Sequence, residues 1–229
     1  VLLGALEHGN QVISIAFSSN GKKLASLGWG DQQNDQGTLI LWDVDSSTQL
    51  YLLDLPGMSD WQDYKLAIAF SPDDQFLVAS KSYMSIGLWK VAGGSLMYEF
   101  ASLGFPESLV LSPDGTTLAY VSDGVVALHR VNDGALLQKF GPAYPCQTDP
   151  SGICTHYMRE IAFSPNGQTL VASTRHYVLL LRTSDGKLLD ELGGHGENVI
   201  DIAFAPDGNM VASSGADGRV KLWQVADAD

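Results

Sequence analysis

Apolar, β-branched runs alternate along this chain with tight-turn signals. The clearest case is the last stretch, Gly193–Val225, which predicts three short strands separated by Pro206-Asp207-Gly208 and Ala216-Asp217-Gly218. The same unit recurs upstream. Its first turn reads Phe17-Ser18-Ser19-Asn20-Gly21, Phe70-Ser71-Pro72-Asp73-Asp74, Leu111-Ser112-Pro113-Asp114-Gly115, Phe163-Ser164-Pro165-Asn166-Gly167 and Phe204-Ala205-Pro206-Asp207-Gly208. Successive copies are offset by 53, 41, 52 and 41 residues, so a period near 41 carries two insertions of about a dozen residues. Each copy supplies strands a, b and c, and four copies add a strand d.

The fifth copy lacks a d strand of its own, while Val1–Leu6 (VLLGAL) has d-strand character and precedes the first a strand. Five a-b-c sets and five d-like segments predict twenty strands, with Val1–Leu6 completing the last sheet and closing a ring that leaves no free sheet edge. Large and small apolar residues alternate within the a strands, as in Ile68-Ala69-Phe70 and Ile202-Ala203-Phe204. Such a strand has no polar face, as expected of a sheet covered on both sides.

The Gly194-His195 pair, the Pro-Asp-Gly turn and the run Ala212–Trp223 closely resemble the Trp-Asp (WD) repeat in its bacterial form, and Trp42-Asp43 supplies the signature dipeptide. The resemblance covers nearly the whole chain. It is strongest in copies one and five, weaker in two (Trp89-Lys90), and weakest in three and four, where His129-Arg130 and Leu181-Arg182 stand in for Trp-Asp. It implies an all-β propeller of four-stranded antiparallel blades forming one domain over residues 1–229. The family usually closes with about seven blades. Five are counted here, so the chain is either an uncommon five-bladed ring or part of a larger propeller.

Composition narrows the partners. Thirteen basic against twenty-six acidic residues leave a net charge of −13 and a pI near 4.5. Phosphate backbones and anionic lipid would repel that surface, so neither nucleic acid nor membrane is an expected partner. The chain begins with Val1 rather than Met, which suggests a processed or partial chain.

His195, Ser213 and Asp217, with Trp223 beside them, have the residue types of a nucleophilic triad, but no nucleophile elbow surrounds the serine. The resemblance implies instead the buried hydrogen-bond network of a WD blade. Copy one keeps His8, Ser26 and Trp42 of that set, and copies two and four are expected to retain Ser80 with Trp89, and Ser173. A catalytic set is not expected to decay across repeats, whereas a stability device can.

The two cysteines, Cys146 and Cys154, sit in the proline- and glycine-rich insertion Gly141–Glu160. A disulfide is the first reading and would place the domain outside the cytoplasm. Free thiols in a cytoplasmic protein are the second, and a metal site using His156 as well is the third, since the spacing fits no zinc pattern. Asp31 and Asp35 in the first b–c turn lack the full ligand series of a calcium loop. No cofactor is expected.

In an antiparallel blade the a–b and c–d turns share one end, and the b–c and d–a connections share the other. Both insertions and the aromatic loop 56–64 fall in the second set, which makes that face the expected binding surface. Its candidate contacts are Trp29, Asp31, Asp60, Trp61, Asp63, Tyr64, Tyr83, Arg175, His176 and Tyr177, of which Trp, Tyr and Arg are types that dominate interfaces. The expected role is a non-catalytic, monomeric scaffold for a protein or peptide. The competing reading is a small-molecule site or enzyme in the central channel, or a propeller fragment of a larger signalling protein.

Overall fold

Turn-bounded apolar runs of this kind fold as the sequence predicts, into successive antiparallel meanders. A computed structural model of the chain describes residues 5–28, 36–56, 66–82, 84–141 and 158–225. Blade 1 comprises β1 (Val12–Phe17), β2 (Lys23–Gly28), β3 (Gln36–Asp43) and β4 (Thr48–Pro56); blade 2 comprises β5 (Ile68–Phe70), β6 (Phe76–Ser82), β7 (Ser85–Lys90) and β8 (Leu96–Ala101). Blade 3 has β9 (Pro106–Leu111), β10 (Thr117–Ser122), β11 (Val125–Arg130) and β12 (Leu136–Phe140). Blade 4 has β13 (Ile161–Phe163), β14 (Thr169–Ser173), β15 (Tyr177–Arg182) and β16 (Leu188–Gly193), and blade 5 has β17 (Val199–Phe204), β18 (Met210–Gly215) and β19 (Val220–Gln224). The fold is an all-β propeller of antiparallel blades, with no helix among the described residues.

The strand expected at Val1–Leu6 falls mainly outside the described residues; Ala5 and Leu6 are described and lie in no strand. Blade 5 accordingly has three strands among the described residues. The chain groups into two compact units, Val1–Glu107 and Ser108–Asp229, with the division inside β9.

Register gives each blade two unlike faces. Trp42 pairs with Leu24 and Trp223 with Val211, so Leu24, Ser26, Trp42 and their counterparts share one face, here termed the indole face. Alternate residues such as Ala25, Leu39 and Leu41 form the other, aliphatic face. Within the first unit the aliphatic face of blade 1 (Ala25, Leu27, Leu39, Leu41) packs on the indole face of blade 2 (Ile68, Leu77, Ala79, Trp89). Within the second unit Ala119, Val121, Val126 and Leu128 of blade 3 pack on Ile161, Leu170, Ala172 and Leu181 of blade 4. Val171, Val178 and Leu180 of blade 4 meet Ile202, Val211, Phe204 and Trp223 of blade 5 in the same sense. Each fully buried leucine in these layers contributes roughly 1.5–3 kcal/mol.

The a–b turn repeats at the level of single hydrogen bonds. In copies one to four a serine hydroxyl (Ser18, Ser71, Ser112, Ser164) donates to the Asn or Asp two residues on, at 2.5–3.0 Å. The same hydroxyl accepts the N–H five residues on at 2.9–3.0 Å. The Asn or Asp then accepts the N–H two residues beyond it, and copy five keeps this bond through Asp207 although Ala205 replaces the serine. Glycine closes four of these turns at φ between 69° and 78°, where a Cβ would be strained.

Turns of neighbouring blades also touch. A Cβ on Gly167 would lie 3.5 Å from Pro113 and one on Gly208 3.5 Å from Pro165, so the proline of one blade rests on the glycine of the next. Between blades 1 and 2 both residues differ. Ser19 stands in the proline position and donates its N–H to Asp74 Oδ1 at 2.6 Å; Asn20 N–H reaches Asp74 Oδ2 at 3.2 Å. Asp74 occupies the glycine position at φ 57°, a strained conformation for a non-glycine residue. Replacing proline thus frees a donor, and replacing glycine supplies its acceptor. Ser19→Pro is therefore expected to cost about 1–2 kcal/mol in the native chain. In an Asp74→Gly background it should be neutral or stabilising, with the sign change read from urea unfolding of the four proteins in the cycle.

Candidate functional site

The most chemically organised group among the described residues lies in blade 5. Trp223, on β19, can only donate, and its indole N–H meets Ser213 Oγ on β18 at 2.9 Å. Ser213 Oγ lies 2.8 Å from His195 Nε2, and His195 Nδ1 lies 3.0 and 3.1 Å from the two carboxylate oxygens of Asp217. Since the carboxylate only accepts, Nδ1–H donates to Asp217, and on a neutral imidazole the hydroxyl donates to Nε2 while it accepts the indole N–H. Asp217 also accepts the N–H groups of Gly196 (3.0 Å) and Arg219 (3.1 Å). These bonds, the Gly196 one foremost and the imidazole's among them, hold its carboxyl at about 2 against an ordinary 3.8.

The Ser–His–Asp linkage has the connectivity of a hydrolase triad but not its access. Ser213 is only 1% exposed and its oxygen already receives the indole N–H, so no substrate carbonyl can approach it. What the chain of bonds does physically is tie the β16–β17 connection, strand β18, the β18–β19 turn and strand β19 together.

Two features that make room for the imidazole escape the sequence reading. A Cβ on Gly215 would stand 2.3 Å from His195 Nδ1, and one on Gly28 would stand 2.4 Å from His8 Cε1. Both glycines end strand b, and each pairs with a residue beside a β-bulge, Val199 in blade 5 and Val12 in blade 1. The bulge and the missing side chain open the same corner in both copies. The signal was present in sequence as a glycine two residues after each network serine.

Blade 1 builds a reduced version. Trp42 N–H donates to Ser26 Oγ at 2.7 Å, but His8 Nε2 turns to the Ser26 carbonyl at 3.4 Å and Nδ1 to Thr38 Oγ1 at 3.5 Å. Burial holds the His8 pKa below its ordinary value. The expectation that blades 2 and 4 retain the serine is corrected by register. Ala79 and Ala172, not Ser80 and Ser173, occupy the position of Ser26 and Ser213. One residue further along the strand is the other face. There Ser80 Oγ donates to the Pro106 carbonyl and accepts Ala67 N–H, and Ser173 Oγ accepts Glu160 N–H. In blade 3 the pair is exchanged for the buried Tyr120, whose ring lies 5.7 Å from that of His129. A large strand-b residue and a smaller strand-c residue thereby fill the space of serine and tryptophan.

Of the loop candidates, Arg175, His176 and Tyr177 are described. They sit at the β14–β15 turn and all are half-buried. Arg175 lends its carbonyl to Val199 N–H, the His176 and Tyr177 rings meet edge to face at 6.4 Å, and Tyr177 packs against the layer between blades 3 and 4. The structure brings these three together. Trp29, Asp31, Asp60, Trp61, Asp63, Tyr64 and Tyr83 lie outside the described residues, as do Asp35, Cys146, Cys154 and His156. Among the described residues no cluster of three or more His, Cys, Asp or Glu could hold a metal ion.

The network makes acid sensitivity predictable. Asp217 has a depressed pKa in the folded chain, so its contribution is present above about pH 4 and is lost as pH falls toward about 2. The thermal midpoint of the native chain should therefore drop more steeply across that window than that of Asp217→Asn, and parallel curves would contradict this. Ser213→Ala, which removes the acceptor of the half-buried Trp223 indole N–H and the partner of the buried His195 Nε2, is expected to cost about 2 kcal/mol in urea unfolding.

Comparison with known proteins agrees with this geometry. The family model described as WD domain, G-beta repeat matches residues 2–43 and 186–224, the regions of the two best-formed polar networks. The chain is 41% identical over 68 residues to the intraflagellar transport protein 122 homolog of Homo sapiens, covering 30% of this chain and 6% of that protein. It is 28% identical over 225 residues to THO complex subunit 3 of Arabidopsis thaliana, covering 96% of this chain and 65% of that one. Among solved structures a chain of Kuenenia stuttgartiensis hydrazine synthase superposes with TM-score 0.71 at 17% identity, covering 94% of this chain and 59% of that chain. That likeness concerns the fold alone. The chain spans less than two thirds of the length of these relatives. Repeat register, blade topology, the His–Ser–Asp–Trp network and the family match over residues 2–43 and 186–224 together mark this as a chain built from WD repeats.

Proposed function

We propose that this chain is a non-catalytic scaffold that binds a protein or peptide through the ends of its blades carrying the b–c and d–a connections. The observation that carries this is the asymmetry of connection length. Every a–b connection is five residues long (18–22, 71–75, 112–116, 164–168 and 205–209), and the c–d connections are four or five. All of the long segments, 29–35, 57–67 and 141–160, join strands at the opposite end of their sheets. A hydrogen-bonded turn repeated at constant length is scaffold, and variable loops on a rigid frame are where recognition resides. Relatives point the same way: THO complex subunit 3 is by name a component of a complex.

The competing reading, an enzyme, finds no support in blade 5, where the one triad-like set is sealed. Nor does acidity favour nucleic acid, given a net charge of −13. The test is affinity capture with the native chain and with Trp29→Ala, Trp61→Ala and Tyr177→Ala. A specific protein retained by the native chain and lost from at least one variant of unchanged circular dichroism is the expected result. Retention of a metabolite with no protein, or capture unaffected by all three changes, would overturn the reading.

A further inference from the structure

An asparagine carboxamide is open to attack by the next backbone nitrogen, most of all before glycine, which has no Cβ to shield that nitrogen. The chain has two such pairs, Asn20-Gly21 and Asn166-Gly167, and both fall at the same position of an a–b turn. Copies two, three and five carry Asp73, Asp114 and Asp207 there. Both asparagines are exposed, so water and base reach them.

Turn geometry sets whether they react. Gly21 N–H bonds the Ser18 carbonyl at 2.9 Å and Gly167 N–H bonds the Ser164 carbonyl at 2.8 Å, and neither asparagine has a positive φ. These are the marks of a type I turn with asparagine third, where ψ is about 0° and the residue's own nitrogen eclipses the glycine nitrogen. Closing a succinimide ring requires Cβ in that eclipsed place instead. The two arrangements exclude each other, so the turn must open before the ring can form. Serine opposes the opening. Ser164 Oγ donates to Asn166 Oδ1 at 2.7 Å and accepts Thr169 N–H at 2.9 Å; Ser18 does the same with Asn20 at 3.0 Å and Lys23 at 2.9 Å.

We infer that Asn20 and Asn166 are latent deamidation sites, kept closed by the turn and its serine and converted when blade 1 or blade 4 opens locally. In the open turn the glycine nitrogen loses its proton to solvent base and attacks Cγ, and the carboxamide nitrogen leaves as ammonia. Water then opens the succinimide. Cleavage of the Cγ–N bond gives aspartate, and cleavage of the backbone C–N bond gives isoaspartate. Aspartate is harmless to the turn, since Asp73 and Asp114 make the same bonds to serine and to the N–H two residues on. Isoaspartate lengthens the main chain by one carbon and cannot rebuild the turn, so each opening that ends this way is recorded covalently.

Copy five allows a test within one molecule. Its turn closes in the same way, Gly208 N–H to the Ala205 carbonyl at 2.9 Å, with alanine in the serine position. Asp207→Asn creates a third Asn-Gly pair there, and adding Ala205→Ser supplies the missing hydroxyl. Peptide mapping of isoaspartate after incubation in mildly alkaline buffer reads all three sites, folded and in urea. In urea the three should convert at comparable rates. In the folded chain Asn20 and Asn166 should convert at least about tenfold more slowly than in urea. Position 207 should convert faster than Asn166, and Ala205→Ser should slow it by about fivefold. Ser164→Ala repeats the comparison at Asn166 with Asn20 as reference, and copy five shows that the turn forms with alanine. Equal rates at Asn20 and Asn166 in folded and unfolded chain would overturn the inference. So would a rate at position 207 that the restored serine leaves unchanged.

Discussion

A β-sheet of this type has two faces that are not interchangeable, and the architecture depends on one packing always onto the other. The aliphatic face carries small and branched residues from strands b and c, and the indole face receives them on Ile, Leu and an aromatic or its substitute. Non-directional burial supplies most of the stabilisation. The asymmetry supplies the order, because a blade turned over would set Trp against Trp. Within each of the two compact units the layers repeat this arrangement with different residues, and the polar groups are arranged around it.

Seen in that light, the hydrogen-bond network of blade 5 is a means of placing polar side chains inside an apolar layer without leaving them unpaired. Serine, histidine, aspartate and tryptophan satisfy one another in sequence, and the terminal carboxylate is anchored on backbone N–H groups. Blade 1 keeps half of the chain and blades 2 and 4 dispense with its serine. In blade 4 the exchange is complete, since Leu181 replaces the tryptophan as Ala172 replaces the serine, so the cost of an unmet partner does not arise there. The network is therefore optional blade by blade, whereas the apolar layer recurs between the blades of both units.

Much of this was legible in the chain. The five Phe- or Leu-led turns located the blades because each turn uses its side chains to hold its own backbone, a local requirement that leaves a local signature. Register was harder. LVAS in blades 2 and 4 and LAS in blade 1 look alike as strings, but Ser80 and Ser173 lie ten residues after the phenylalanine and Ser26 and Ser213 lie nine. A period of two turns that single residue into a change of face. The glycines beside His8 and His195 were visible only as strand ends, since what makes them necessary is an imidazole about twenty residues away. Nor could pattern alone reveal that Ile15 and Leu222 are exposed among the described residues, because they read like their buried counterparts.

The central claim is that an aliphatic face and an indole face must meet for either to be secure; among the described residues Ile15 of β1 and Val220 and Leu222 of β19 are exposed, whereas their counterparts inside the layers are buried. Hydrogen exchange of the backbone amides in dilute, monomeric protein tests it most directly. The account predicts the strongest protection in β6–β7, β10–β11 and β14–β15 and the weakest in β1 and β19. Protection of β1 and β19 equal to that of those strands would contradict it.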